Sequence, residues 1–87
     1  MNYETIGKYT IYGKQGCTYC DLSKDLLESY NIEFDYVDLG NDPEVLQEFK
    51  SKGFRTVPQV YYEGDLYTGS LVGGFDQMKQ HIMENLI

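Results

Sequence analysis

Tryptophan is absent from these 87 residues, histidine occurs once, cysteine and proline twice each, and basic side chains number only seven. Cys17 and Cys20, one helical turn apart, are too few and too close to staple a disulfide-dependent secreted domain, so in a reducing compartment the pair reads as chemistry. Seven bases against fourteen acids leave a formal charge of -7, which opposes phosphate backbones and anionic lipid. Nucleic acid and membrane surfaces are therefore poor partners. No apolar run approaches the ~20 residues that cross a bilayer, and residues 1–7 carry no basic stretch leading into an apolar one. The expectation is a cytoplasmic protein, with a monomer as the default.

What remains is enough for one core. A chain this short buries roughly 60% of its unfolded surface, which leaves no room for a second domain, so residues 1–87 read as a single unit. An apolar fraction of 41% with 15% aromatics supports packing over disorder.

Along the chain, Lys8 to Tyr12 is β-branched and aromatic up to Gly13, as suits a first strand. From Tyr19 to Tyr30, Leu22, Leu26, Leu27 and Tyr30 recur at helical spacing, and the helix ends near Asn31. Ile32 to Leu39 alternates apolar and acidic residues, predicting a second strand. Asp42 then caps a helix with Pro43 at its first position, Val45, Leu46 and Phe49 as its stripe, and Gly53 at its end. Val57 to Tyr62 is a third strand, and Gly64-Asp65 reverses it into a fourth from Leu66 to Val72. A last helix follows Gly73-Gly74, with Phe75, Met78, Ile82, Met83 and Leu86 on its apolar face. The order β-α-β-α-β-β-α predicts an α/β sandwich on a small mixed sheet: a parallel pair joined by a helix, then an antiparallel hairpin.

Cys17-Thr18-Tyr19-Cys20 falls between the first strand and the first helix. Cys17 should therefore meet the unpaired N–H groups of a helix N-terminus, which favour a thiolate and can bring a thiol pKa well below about 8.5. Cys20, one turn on, is near enough to close a disulfide and shielded enough to act second. Two plainer readings stay open: inert core thiols, or half of a zinc site. Zinc would need two further ligands, and His81 lies far along the last helix.

Tyr12-Gly13-Lys14 with Gly16 and C-T-Y-C, then Arg55-Thr56-Val57-Pro58-Gln59, then Gly73-Gly74-Phe75-Asp76, together resemble the three signatures of the glutaredoxin family, in order and across nearly the whole chain. The resemblance implies a thioredoxin-like fold, a four-stranded mixed sheet flanked by three helices. It also implies thiol-disulfide exchange with glutathione as co-substrate, no metal, Cys17 as nucleophile and Cys20 as resolving thiol. Its clients would be disulfide-containing or glutathionylated proteins, a ribonucleotide reductase being a frequent one.

Residue by residue, Val57 would pair its backbone with glutathione before a cis Pro58, as β-augmentation does. Gly74 and Phe75 would open a helix onto the γ-glutamyl carboxylate, with Asp76 on its ammonium. Lys14 would meet the glycyl carboxylate, Tyr19 would flank the tripeptide, and Arg55 and Thr56 would line the same groove. Without the resemblance, Pro58 reads equally as an edge proline, Asp76 as a first-turn acid, Lys14 as solvated surface and Tyr19 as packing. His81 reads as surface or packing, not as a base.

Two departures stand out. Thr18 occupies a position where many dithiol members have proline, and the stretch from Tyr62 to Val72 is longer than the family's usual hairpin. Two rival functions follow. A thioredoxin fed by its own reductase would carry W-C-G-P-C, which this chain does not. An iron-sulfur module, two chains sharing a cluster through Cys17 and two glutathiones, is more permissible without proline at 18.

Overall fold

Four strands and three helices account for most of residues 7–85, the span that the computed structural model describes. Strand β1, Tyr9–Gly13, is buried along its whole length, because it lies in the middle of the sheet with both faces covered. It pairs parallel with β2, Phe34–Asp38, and antiparallel with β3, Gln59–Tyr62, which in turn pairs antiparallel with β4, Ser70–Gly73. The sheet order is β2-β1-β3-β4, the mixed sheet expected of the element order.

Alternation along β1 divides the interior in two. Tyr9 and Ile11 point to one face and pack with Val60, with Leu27 of helix α1, Thr18–Ser29, and with Met78 and Ile82 of helix α3, Phe75–Asn85. Tyr12 points to the other face, against Tyr61, Leu39, Leu66 and Phe49 of helix α2, Pro43–Ser51. The fold is thus thioredoxin-like, with α1 and α3 on one side of the sheet and α2 on the other.

Local chemistry explains most boundaries. Asn31 takes a left-handed φ of 57° just past α1, and the Ile32 N–H returns to the Leu27 carbonyl at 2.9 Å, closing the helix end. The Asp42 carboxylate accepts the Val45 N–H at 3.2 Å with Pro43 at the first position of α2, as its sequence predicts.

Elsewhere the elements are shorter or shifted. The second strand stops at Asp38, whose carboxylate accepts the Gly40 N–H at 2.9 Å and starts a 3-10 turn over Leu39–Asn41 that no apolar pattern announces. The third strand begins at Gln59, so Val57 and Pro58 precede it. The fourth begins at Ser70, four residues later than expected. Asp65 is the reason: its Oδ1 accepts the N–H groups of Tyr67 and Thr68 at 2.8 and 3.0 Å and its carbonyl accepts that of Gly69 at 2.7 Å, which holds the chain in a turn. Leu66 faces inward from that turn and donates its N–H to the buried Tyr12 hydroxyl at 3.0 Å. In α1 the inward residues are Cys20, Ser23 and Leu27, while Leu22, assigned to the stripe, is exposed; Met83 of α3 is exposed as well, and Leu86 lies outside the described residues.

Candidate active site

Gly16, at a φ of 76° that glycine adopts freely, turns the chain after β1 and brings Cys17 to the N-cap of α1. The Cys17 Sγ accepts the Cys20 N–H at 3.1 Å. Sulfur thus takes the place of the usual capping oxygen, at the positive end of the helix, and that donation favours the anion over the thiol. Cys17 and Cys20 are joined as a disulfide with their Cα atoms 5.2 Å apart. Their exposures differ in kind: Cys17 is half-buried at the surface, and Cys20 is fully enclosed. Among the described residues no three His, Cys, Asp or Glu side chains converge as a metal site.

Val57 lies beside the outer sulfur, its carbonyl oxygen 3.9 Å from Cys17 Sγ, and its peptide bond to Pro58 is cis. Because the ladder with β1 starts only at Gln59, the backbone of Val57 stays outside the sheet pairing. From there a groove of about 200 Å³ runs past Tyr19, Thr56, Pro58, Gly74, Phe75 and Asp76. The rings of Tyr19 and Phe75, 5.7 Å apart, flank it, and Tyr19 stays 57% exposed, so its ring is available to a ligand. All the expected glutathione-binding residues except Lys14 and Arg55 therefore line one groove.

Lys14 sits elsewhere. It lines a larger cleft of about 590 Å³ on the α2 side of Cys17, together with Lys50, Phe54, Arg55 and the shared Thr56 and Val57. The reason is local: the Lys14 carbonyl accepts the Tyr36 hydroxyl at 3.4 Å, tying this turn toward β2. Arg55 accompanies Lys14 in this cleft and does not line the groove.

Gln77 was not anticipated from the sequence. Its Oε1 accepts the Gly74 N–H at 3.0 Å, the return half of a capping box in which the third helical residue reaches the cap. The signal was present as a glutamine three residues after Gly74. One N–H of the expected carboxylate site is thus already engaged. His81 is remote from this chemistry, its Nδ1 2.7 Å from the Tyr9 hydroxyl and its ring packed edge-on against Tyr9 and Tyr62.

Comparison with known proteins bears on this arrangement. The glutaredoxin family model matches residues 9–67, a span that includes both cysteines and Val57-Pro58 but stops before Gly73. Glutaredoxin 1 of Escherichia coli is 34% identical over 84 residues, covering 87% of this chain and 93% of that protein. Among solved structures, the glutaredoxin-like protein NrdH-redoxin from Escherichia coli, described by its thioredoxin-like activity profile, superposes with a TM-score of 0.69 at 26% identity, over 87% of this chain and 93% of that one. A buckwheat glutaredoxin in complex with glutathione superposes with a TM-score of 0.67 at 26% identity, over 90% of this chain and 71% of its own.

Proposed function

The chain belongs to the glutaredoxin family, a dithiol redox protein on a thioredoxin-like fold, and from that premise we propose that it reduces protein disulfides and glutathione mixed disulfides at the expense of glutathione. The observation that carries this reading is the asymmetry of the pair: an outer sulfur capping a helix beside an unpaired strip of backbone, and an inner one enclosed behind it.

Each step balances on sulfur. The Cys17 thiolate attacks one sulfur of a client disulfide; a Cys17–client bond forms, the client S–S bond breaks, and the other client sulfur leaves as thiolate. Cys20, losing its proton, then attacks the Cys17 sulfur, which releases the second client thiolate and closes the Cys17–Cys20 disulfide. Two glutathiones return the electron pair and leave as glutathione disulfide. For a glutathionylated client, Cys17 takes the glutathione and a second glutathione removes it, with Cys20 idle.

In this reading glutathione lies along Val57, its γ-glutamyl end in the groove at Gly74, Phe75 and Asp76, with Tyr19, Thr56 and Pro58 as walls and Lys14 near the glycyl carboxylate. Gln77 then yields the Gly74 N–H to the incoming carboxylate. The clients are disulfide-bearing or glutathionylated cytoplasmic proteins, a ribonucleotide reductase among them.

Cys17→Ser should abolish glutathione-dependent reduction of a small mixed disulfide, and Cys20→Ser should keep at least a third of it. Retained turnover in the Cys17 variant contradicts the roles given. A second reading, a thioredoxin-type carrier fed by a dedicated reductase, is favoured by the likeness to NrdH-redoxin and by the Gly74 N–H already held by Gln77. Reduction of the oxidised protein by each donor separates the two: glutathione succeeds on the first reading, and only the reductase on the second.

A further inference from the structure

Resting on Cys17 as the attacking sulfur, we propose that the cleft on the α2 side of Cys17 docks an extended acidic segment of the client. An aromatic or aliphatic side chain of that segment seats over Leu46, Phe49 and Phe54, and its carboxylates meet Lys14, Lys50 and Arg55. The cleft has about three times the volume of the groove, about 590 against about 200 Å³, and reaches well beyond what the outer sulfur itself needs. Its floor is apolar, and Cys17 forms part of its wall.

Charge argues for the occupant. The chain has twice as many acids as bases, fourteen to seven, yet three of the seven bases line this one cleft and no carboxylate does. Lys50 alone would be explained by its place in the last turn of α2, where the helix dipole favours a cation. Lys14 and Arg55 come from two other segments and have no such explanation. All three are exposed, and no ion pair among the described residues engages them. A second copy of this chain, itself at -7, would suit the sign of the cleft but bring with it the repulsion of one acidic molecule for another, and glutathione presents only one carboxylate on this side. A client peptide with several carboxylates around an apolar anchor satisfies both the floor and the rim, and such complementarity acts on encounter rate and selectivity.

The test is a rapid-mixing assay with the reduced full chain. Two peptides, each with one Phe and one Cys held as a mixed disulfide with thionitrobenzoate, differ only in four flanking Asp or four flanking Lys. At low salt the acidic peptide should react at least tenfold faster, and the advantage should shrink as salt rises. Lys50→Glu should cut it about fivefold, whereas Lys52→Glu, an equal change in net charge outside the cleft lining, should leave it within twofold. Reduction of 2-hydroxyethyl disulfide, small and uncharged, should be the same in all three proteins.

Equal rates for the two peptides overturn the proposal, and so does an equal loss in the two lysine variants, which would assign the effect to the field of the whole molecule. A fivefold loss of glutathione turnover in Lys50→Glu would make the cleft a glutathione subsite instead. Self-association that Lys50→Glu abolishes in sedimentation would give it to a second copy. Failure to reduce 2-hydroxyethyl disulfide at all would be distinct from each of these, because it strikes the role of Cys17 itself.

Discussion

Gly13 ends β1 where no side chain fits. A Cβ built there would fall 2.8 Å from Cys20 Sγ and closer still to the Tyr36 hydroxyl, so the backbone is needed bare for space and not for an unusual φ. Gly13→Ala should therefore cost about 1–3 kcal/mol of stability, as overpacking does, and lower the melting temperature by at least about 4 °C. A thermal melt in which the variant matches the parent would show that Tyr36 and Cys20 move aside freely. Single residues were also where the sequence spoke most plainly about the site. Cys17 stands out because helix-cap chemistry is local, and the proline of Val57-Pro58 and the glycine at Gly74 mark backbone turns by themselves, whereas a role for Asp76 comes only with the family resemblance. Lys14 and Arg55 lie in the cleft on the α2 side with Lys50 and Phe54, and the sequence does not foretell that grouping, because which side of Cys17 a residue reaches depends on how α2 packs on the sheet, and no local pattern encodes that.

The segment between β3 and β4 is an element built on one carboxylate. The N–H of Tyr67 foremost, then the N–H and the hydroxyl of Thr68, hold Asp65 below the ordinary carboxylate range. A pKa lowered by folding stabilises the folded state above the unfolded value of about 3.9 and loses that contribution as pH falls through the folded value. The difference in urea midpoint between the parent and Asp65→Asn should thus be constant from neutral pH down to about pH 5 and shrink below about pH 4. A difference that stays flat through this range would detach the carboxylate from the turn.

The same element explains the late start of β4: Leu66 and Tyr67 look like strand residues, but Asp65 outcompetes sheet pairing by offering the backbone its own partners, and pairing begins only at Ser70. Helix α1 forms where the sequence predicts it, and Leu26, Leu27 and Tyr30 of its expected stripe pack on the core while Leu22 does not. Ser23, a polar residue, takes an inward position by donating its hydroxyl to the Tyr19 carbonyl at 2.7 Å, and Leu22 is turned outward.

Across the whole molecule, β1 belongs to two interiors at once, giving Tyr9 and Ile11 to one and Tyr12 to the other. Neither face can come apart without disturbing the central strand, so residues 7–85 should unfold as one. Met78→Ala, at a fully buried site on one face, should cost about 2–5 kcal/mol, and Leu66→Ala on the opposite face should fall in the same range. Far-UV dichroism and tyrosine fluorescence should then trace a single shifted transition in both variants. Two separated transitions would reveal faces that melt independently.

Enclosure of Cys20 has a consequence for survival in an oxidising insult. A peroxide reaching the reduced protein meets only the outer of the two cysteines and converts it to a sulfenic acid; the inner thiol then displaces hydroxide, water departs, and the product is the ordinary intramolecular disulfide. Oxidative injury is thereby funnelled into a form that everyday recycling already repairs.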